Sequence, residues 1–207
     1  MKNKSDISVM LKEAGILFAI TLIVGLLLGV VYELTKEPIR IQQAKAVEEA
    51  CRTVFGDADT FEEIKYAPAP ELEEELSASG VKIGSVYHAL DGGGETLGYV
   101  VQSTSTQGYG GNIVLYLGVR NDGTLNDISI LEISETPGLG MEAPDVLVPQ
   151  FHDKKVESFV YTKAGAGADN EIDAITSATI TTRAVTNAVN GGLKAVADLQ
   201  EGGGANE

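Results

Sequence analysis

The chain has 207 residues, which leaves room for one domain and an additional segment. Its 15 Lys and Arg residues stand against 30 Asp and Glu residues, so the formal net charge is −15. Because such a surface repels phosphate backbones, we expect no nucleic-acid partner. Cys51 is the only cysteine, which excludes an intrachain disulfide and any cysteine-ligated metal or iron–sulfur centre.

The first element is an apolar run, residues 14–32, that contains no charged residue. As a helix it spans about 28 Å, close to the hydrocarbon thickness of a bilayer. The flanking residues 33–38 lack the small-x-small pattern of a cleavage site, so an uncleaved anchor is favoured over a signal peptide. Basic residues balance on the two sides, so the positive-inside rule does not decide the orientation. The short tail before the span and the large domain after it favour a cytoplasmic N-terminus.

Three features precede the strand region. Gly25 and Gly29 lie on one face of the span, where they permit close approach of partner helices. Pro38 predicts the start of a second helix that runs to about Phe55 and stops at Gly56. The acidic, proline-containing residues 67–80 predict a solvated connection or a short exposed helix.

From residue 83 onward the pattern predicts strands. Residues 83–90 and 96–103 flank one glycine-rich turn, and residues 112–120 and 125–133 flank another. This is an antiparallel meander of about four strands with helices packed at either end. The predicted fold class is therefore α+β, a single N-terminal transmembrane helix followed by an antiparallel-sheet domain. Two further glycine-rich segments, at 108–111 and 135–140, are by themselves only flexible turns.

The last predicted helix begins in a hydroxyl-rich stretch, residues 173–182. Apolar residues recur at helical spacing from Ile180 to Val196. The hydroxyls therefore crowd a helix start, whose free N–H groups and positive dipole suit a phosphate. The alternative is that Thr176 or Ser177 serves only as the N-cap of this helix.

The beginning of this stretch reads Asp-x-x-Thr-x-Ala-Thr and resembles the flavinylation motif of FMN-binding domains. In that family the last hydroxyl carries FMN through a phosphoester bond, placed there by a flavin transferase that uses FAD. The resemblance makes Asp173 the leading acid, Thr176 the first hydroxyl, Ala178 the motif alanine and Thr179 the acceptor. Ser177 stands where the family usually has glycine, whose freedom at positive φ it lacks.

A Gly-Tyr-Gly-Gly turn, a Glu-Thr-Pro-Gly-Leu-Gly loop and this motif follow one another along the chain. In this order they resemble FMN-binding domains of respiratory membrane complexes over nearly the whole chain. The chain resembles most the RnfG family of the Rnf complex. The FMN-carrying NqrC family of the sodium-pumping quinone reductase is a sister family of RnfG. The resemblance implies that the loop lies against the flavin through Thr136, Gly138, Leu139 and Gly140.

We expect five segments. They are a cytoplasmic tail at 1–13, the transmembrane helix at 14–32, a connecting helix and acidic linker at 33–80, the FMN-binding domain at 81–199 and a disordered tail at 200–207. The tail before the span would lie in the cytoplasm, and the FMN-binding domain on the extracytoplasmic side of the cell membrane.

The resemblance implies an electron-transfer subunit that is not catalytic alone. Its complex would couple electron flow from reduced ferredoxin to NAD with Na⁺ or H⁺ transport. The cofactor would be covalent FMN, and the partners would be the other membrane subunits of the Rnf complex and the flavin transferase. Two alternatives stay open: the related quinone-reductase subunit, and an anchored assembly domain without a redox role, in which the hydroxyls are caps only.

Overall fold

The computed structural model describes residues 4–202. The chain divides between Ala46 and Val47 into two units, which we describe separately. The elements follow in this order: α1 Lys4–Val54, β1 Thr60–Ile64, α2 Pro70–Ala78, β2 Val81–Leu90, β3 Thr96–Ser105, β4 Ile113–Arg120, β5 Leu125–Glu132, a 3-10 turn Gly140–Glu142, α3 Ala143–Val146, α4 Val148–Phe151, β6 Val160–Thr162, β7 Glu171–Asp173 and α5 Thr179–Gln200. The expected tails lie partly outside the described residues, at 1–3 and 203–207.

The N-terminal unit consists of α1 as far as Ala46, and the large apolar side chains from Ile7 to Ile41 are exposed. Among the described residues, α1 is the one helix long and apolar enough to cross a membrane. The prediction that a second helix begins at Pro38 is wrong, because Pro38 lies inside the continuous α1. A proline removes only one backbone donor, and the turns around it are supported by good helix formers and by an Arg40–Glu37 ion pair of 2.6 Å.

The second unit is built on a five-stranded antiparallel sheet with the order β1-β2-β3-β4-β5. The four predicted strands are present, and their ends differ from the prediction by two residues or fewer. The edge strand β1 was not predicted, because its sequence Thr-Phe-Glu-Glu-Ile breaks the alternation of apolar and polar residues. It pairs with β2 from Thr60 opposite Leu90 to Ile64 opposite Val86.

Helices cover both faces of the sheet, which explains why β4 is buried from Ile113 to Val119. One face packs against α5 through a cluster that includes Leu115, Leu117 and Val185. The other face packs against the last turns of α1, where Cys51, Val54 and Phe55 meet Val100 and Tyr116. This second cluster includes the end of the helix that the sequence placed outside the domain.

The remaining elements before α5 are short. The predicted acidic connection contains a short helix, α2. After the sheet, the parallel pair β6 and β7 encloses a glycine-rich loop at residues 163–170. Strand β7 ends at Asp173, six residues before α5 begins at Thr179. The α+β architecture is therefore as predicted, and the candidate motif lies at the start of the helix that covers the sheet.

Candidate functional site

Helix α5 begins at Thr179 without a side-chain cap. Its N-cap is Ala178, and no side chain accepts a hydrogen bond from the first-turn N–H groups. The alternative in which Thr176 or Ser177 caps the helix is therefore wrong. Thr179 is half-buried in the first turn, beside N–H groups that have no partner within the helix.

The turn that precedes α5 places Ser177 in the left-handed region, at φ 63°. This is the position where the flavinylation motif usually has glycine, so the structure supplies the reason for that preference. A side chain other than glycine at positive φ costs about 1–2 kcal/mol. Ser177 is exposed, and the turn forms here with a residue other than glycine.

Thr182 closes the same turn with a buried hydroxyl. Its Oγ1 donates to the carbonyl oxygen of Ala178 at 3.0 Å and accepts from the N–H of Ile175 at 3.1 Å. The side chain is fully buried. Thr182 is therefore committed to holding the turn, and its hydroxyl is not available for modification.

Asp173, the leading acid of the motif, fixes the neighbouring glycine-rich loop. Its Oδ1 accepts a hydrogen bond of 2.7 Å from the N–H of Ala166. Glu171 acts in the same way through Oε2, which accepts from Gly167 at 2.8 Å and Ala168 at 3.2 Å. The two carboxylates thus hold three successive backbone N–H groups. Asp173 therefore fixes the conformation of the neighbouring loop.

A pocket of about 490 Å³ opens in front of the helix start. Its volume lies in the range of small-molecule sites. Six of the predicted site residues line it: Thr136, Leu139, Gly140, Ser177, Ala178 and Thr179. The other lining residues are Tyr109, Glu135, Ile180 and Thr181. The pocket is therefore lined by residues of both glycine-rich segments and of the stretch that resembles the flavinylation motif.

Three predicted site residues do not line this pocket: Gly138, Asp173 and Thr176. Gly138 adopts φ 72° at the tip of its loop, and a Cβ there would meet nothing within 4 Å. Thr176 is exposed on the turn. A larger cavity of about 650 Å³ lies elsewhere, beside the C-terminal half of α5, and none of the motif residues lines it.

Glu135 is the one carboxylate among the lining residues that sequence reasoning missed. It is only 8% exposed, yet its charge has no Lys or Arg within ion-pair distance in the described part of the chain. Its Oε2 accepts a 2.7 Å hydrogen bond from the hydroxyl of Thr181, and its Oε1 accepts one of 3.1 Å from the N–H of Gly110. The signal in the sequence was its place at the head of the Glu-Thr-Pro-Gly-Leu-Gly loop.

Glu135 is one of the close neighbours of two loop glycines, Gly108 and Gly140. A Cβ added to Gly108 would lie 2.8 Å from Glu135 Oε1, and one added to Gly140 would lie 2.8 Å from Oε2. At Gly110 a Cβ would overlap the carbonyl oxygen of Ser134. We expected the glycines to let the backbone approach a flavin ring. In the structure, Gly108 and Gly140 pack directly around a buried carboxylate.

The pocket has the properties that FMN requires. Uncapped N–H groups and the positive end of a 22-residue helix suit a phosphate at Thr179. Exposed apolar side chains stand at the rim, where Tyr109 is 71% exposed and Ile180 is 43% exposed. A planar ring would cover this apolar surface. Arg183, one turn further along α5, is exposed and does not line the pocket.

Comparison with known proteins agrees with the geometry. A family profile described as "FMN-binding domain" matches residues 108–194, and one described as "RnfG N-terminal region" matches residues 1–54. The fold resembles the crystal structure of Shewanella oneidensis NqrC, with a TM-score of 0.52 and 18% identity, covering 77% of this chain and 99% of that one. At this identity the likeness concerns the fold alone.

Two relatives match almost from end to end. The chain is 31% identical to the G subunit of the Na(+)-translocating ferredoxin:NAD(+) oxidoreductase complex of Acetobacterium woodii, covering 97% of this chain and 98% of that protein. It is 33% identical to the G subunit of the proton-translocating ferredoxin:NAD(+) oxidoreductase complex of Clostridium ljungdahlii, covering 92% and 97%. The resemblance inferred from the motifs is thereby confirmed. The chain belongs to the RnfG family, the G subunits of Rnf-type, ion-translocating ferredoxin:NAD(+) oxidoreductase complexes.

Proposed function

We propose that this chain is the electron-transfer subunit of a membrane-bound, ion-translocating ferredoxin:NAD⁺ oxidoreductase and carries FMN esterified to Thr179 Oγ1. One observation carries the proposal: Thr179 starts an uncapped helix and faces a pocket lined by the Glu-Thr-Pro-Gly-Leu-Gly loop. The family supports the role in a complex, and the FMN-binding profile supports the cofactor.

The phosphate is the part of FMN that the helix start recognises. Free N–H groups and the helix dipole favour a negative charge within the first turn. Esterification lowers the phosphate charge from about −2 to about −1, by analogy with other phosphoryl groups. This reduction favours attachment in a chain whose net charge is already −15.

Attachment is a phosphoryl transfer without electron transfer. Thr179 Oγ1 attacks the phosphorus on the FMN side of FAD, and the new bond joins that oxygen to phosphorus. The pyrophosphate bond breaks and AMP leaves. The hydroxyl proton passes to a base that the flavin transferase supplies. Once bound, FMN supplies one- and two-electron chemistry, and the protein holds and orients it.

The surroundings of the pocket fit an electron relay. Tyr109 and Ile180 offer apolar surface to the ring, and the pocket is open to solvent on one side. An exposed ring edge allows electron exchange with neighbouring subunits, so this chain needs no NAD or ferredoxin site of its own. Because the relatives include both Na⁺- and proton-translocating complexes, either coupling ion is compatible with the family.

The apolar helix and the family membership make the chain a membrane protein. We place its N-terminus in the cytoplasm and the FMN domain on the extracytoplasmic side, since a short tail precedes the span and a large domain follows it. Covalent attachment suits that side, where free FMN would be lost. The Gly25–Gly29 face of α1 is the surface we assign to partner membrane helices.

The alternatives have less support. The likeness to NqrC concerns the fold, whereas the relatives named as G subunits match over nearly the full length. A non-redox assembly domain was the alternative in which the hydroxyls are caps only. The helix start has no side-chain cap, so that alternative loses its structural basis.

Co-expression with a flavin transferase in the presence of FAD tests the proposal. The full chain in detergent should gain the mass of one FMN less one water and give a fluorescent band after denaturing electrophoresis. Thr179→Ala should abolish both signals. Thr60→Ala is the matched control, because Thr60 is an exposed threonine of β1 that lies outside both the motif and the pocket. Flavin that survives in Thr179→Ala would move the attachment elsewhere, and a wild type without flavin would contradict the electron-carrier role.

A further inference from the structure

Glu135 is a buried carboxylate that the fold alone does not require. Burying a charge without a paired cation is costly, even when hydrogen bonds compensate part of the loss. Both of its hydrogen bonds come from neutral donors, the Thr181 hydroxyl and the Gly110 N–H. Among the described residues, none of the ion pairs formed by Lys or Arg includes Glu135. This buried carboxylate lines the same pocket as Thr179.

The two hydrogen bonds join the opposite walls of the pocket. Gly110 follows Tyr109, which stands at the rim with 71% of its surface exposed. Thr181 lies two residues after Thr179 in the first turn of α5. Glu135 itself begins the third lining segment. One carboxyl group therefore sets the distance between the tyrosine loop, its own loop and the helix that carries the acceptor.

We infer that Glu135 is the positioning residue of the FMN site: its carboxylate clamps both walls around Thr179, and its charge holds the potential of the bound flavin low. The inference rests on the proposed function. Positioning follows from the geometry, since the carboxylate accepts one hydrogen bond from the Gly110 N–H and another from the Thr181 hydroxyl.

The effect on the potential follows from electrostatics. Reduction adds negative charge to a flavin unless protons follow the electrons. A fixed carboxylate at the pocket wall opposes that added charge, and burial weakens the screening by water. Removing the charge while preserving the shape should therefore make reduction easier.

Two substitutions of Glu135 separate the effect of its hydrogen bonds from the effect of its charge. Glu135→Gln keeps the shape and both contacts, because its amide oxygen can accept from Gly110 N–H while its amide nitrogen donates to Thr181 Oγ1. Glu135→Ala removes both contacts. Glu142→Gln is the control, because Glu142 is an exposed carboxylate seven residues along that does not line the pocket.

The rate of FMN attachment and the midpoint potential are measured on the full chain with transferase and FAD. We expect Glu135→Ala to slow attachment by about 10²-fold, the effect of a small misplacement of a reacting group. Glu135→Gln should attach FMN at nearly the wild-type rate but at a more positive potential, and Glu142→Gln should match the wild type in both. Attachment by Glu135→Ala at the wild-type rate, or an unchanged potential in Glu135→Gln, overturns the inference.

Folding is controlled independently. If Glu135→Ala does not fold, Thr181→Val is measured in its place, because valine removes the hydroxyl donor and retains the volume. Slow FMN attachment by folded Thr181→Val supports the clamp. FMN attachment by Thr181→Val at the wild-type rate overturns it. A wild type that takes up no FMN under these conditions contradicts the proposed function itself. The two failures are thus distinguishable.

Discussion

Asn126 in β5 donates a 2.6 Å hydrogen bond from its amide nitrogen to the carbonyl oxygen of Val54, the last residue of α1. The last carbonyl groups of a helix have no partner within it, so this amide satisfies one of them. Arg120 donates to Asn126 Oδ1 at 2.9 Å and also pairs with Asp57 at 3.0 Å. A small polar network therefore fixes the end of α1 against the sheet.

Asn126→Ala should lower the free energy of unfolding by about 1–2 kcal/mol, because it leaves a partly buried carbonyl without its donor. Urea unfolding of the full chain in detergent, followed by circular dichroism, measures this change. Asn112→Ala is the control, since Asn112 is exposed beside β4. Equal stabilities of the two variants would show that the amide contributes nothing.

Thr182→Val should be costlier than Thr176→Val. Valine keeps the volume but leaves the Ile175 N–H without its acceptor, and the Ala178 carbonyl keeps only the backbone N–H of residue 182. We expect a loss of about 1–3 kcal/mol. Thr176→Val, at an exposed position, should stay within about 0.5 kcal/mol of the wild type. Similar thermal midpoints for both variants would contradict the role assigned to Thr182.

Ser177→Gly should stabilise the protein slightly and leave flavin attachment intact. Glycine relieves the left-handed conformation, worth about 1–2 kcal/mol, but also adds about 0.4–1 kcal/mol of unfolded-state freedom. Ser177→Val should be destabilising, because a β-branched residue resists positive φ. Thr176→Gly is the control, as Thr176 has no positive φ. A loss of stability in Ser177→Gly would count against the observed turn.

Cys51 should react slowly with thiol reagents in the folded protein. It is only 2% exposed, and burial raises the pKa of its thiol to about 11. The raised pKa stabilises the folded protein as long as the thiol is protonated. This stabilisation is complete below the unfolded pKa of about 8.5 and is lost as the pH rises toward about 11. Labelling at rising pH, with a denatured control, measures this. Fast native labelling at neutral pH would contradict the burial.

This protection makes the topology testable without replacing Cys51. A cysteine introduced at Gly202 should react with an impermeant thiol reagent in intact cells if the domain is extracytoplasmic, while the wild type gives little background. Labelling of the introduced cysteine only after lysis would reverse the assigned orientation.

The sequence predicted the strands β2 to β5 because glycine-rich turns bound them in pairs. It missed β1, a short edge strand in which Glu62 and Glu63 interrupt the alternation of apolar and polar residues. It placed a helix start at Pro38, although a single proline is tolerated within a helix when the flanking turns are favourable.

At the site, six of the nine residues that the resemblance named line the pocket, but the sequence did not predict how they are held. Glu135 acts through partners 25 and 46 residues away, Gly110 and Thr181. No local pattern encodes such contacts. Asp173 is part of the motif in the sequence, but its hydrogen bond with the N–H of Ala166 depends on the pairing of β6 with β7, which the sequence did not predict.

The packing of Val54 and Phe55 on the sheet also determines where the polypeptide can be shortened. The boundary expected at residue 81 remains a prediction, but a fragment that starts there would lack both side chains and β1. The sheet face around Val100 and Tyr116 would then be bare, an apolar surface prone to self-association. A water-soluble fragment should therefore retain the chain from about Val47, where the compact unit begins.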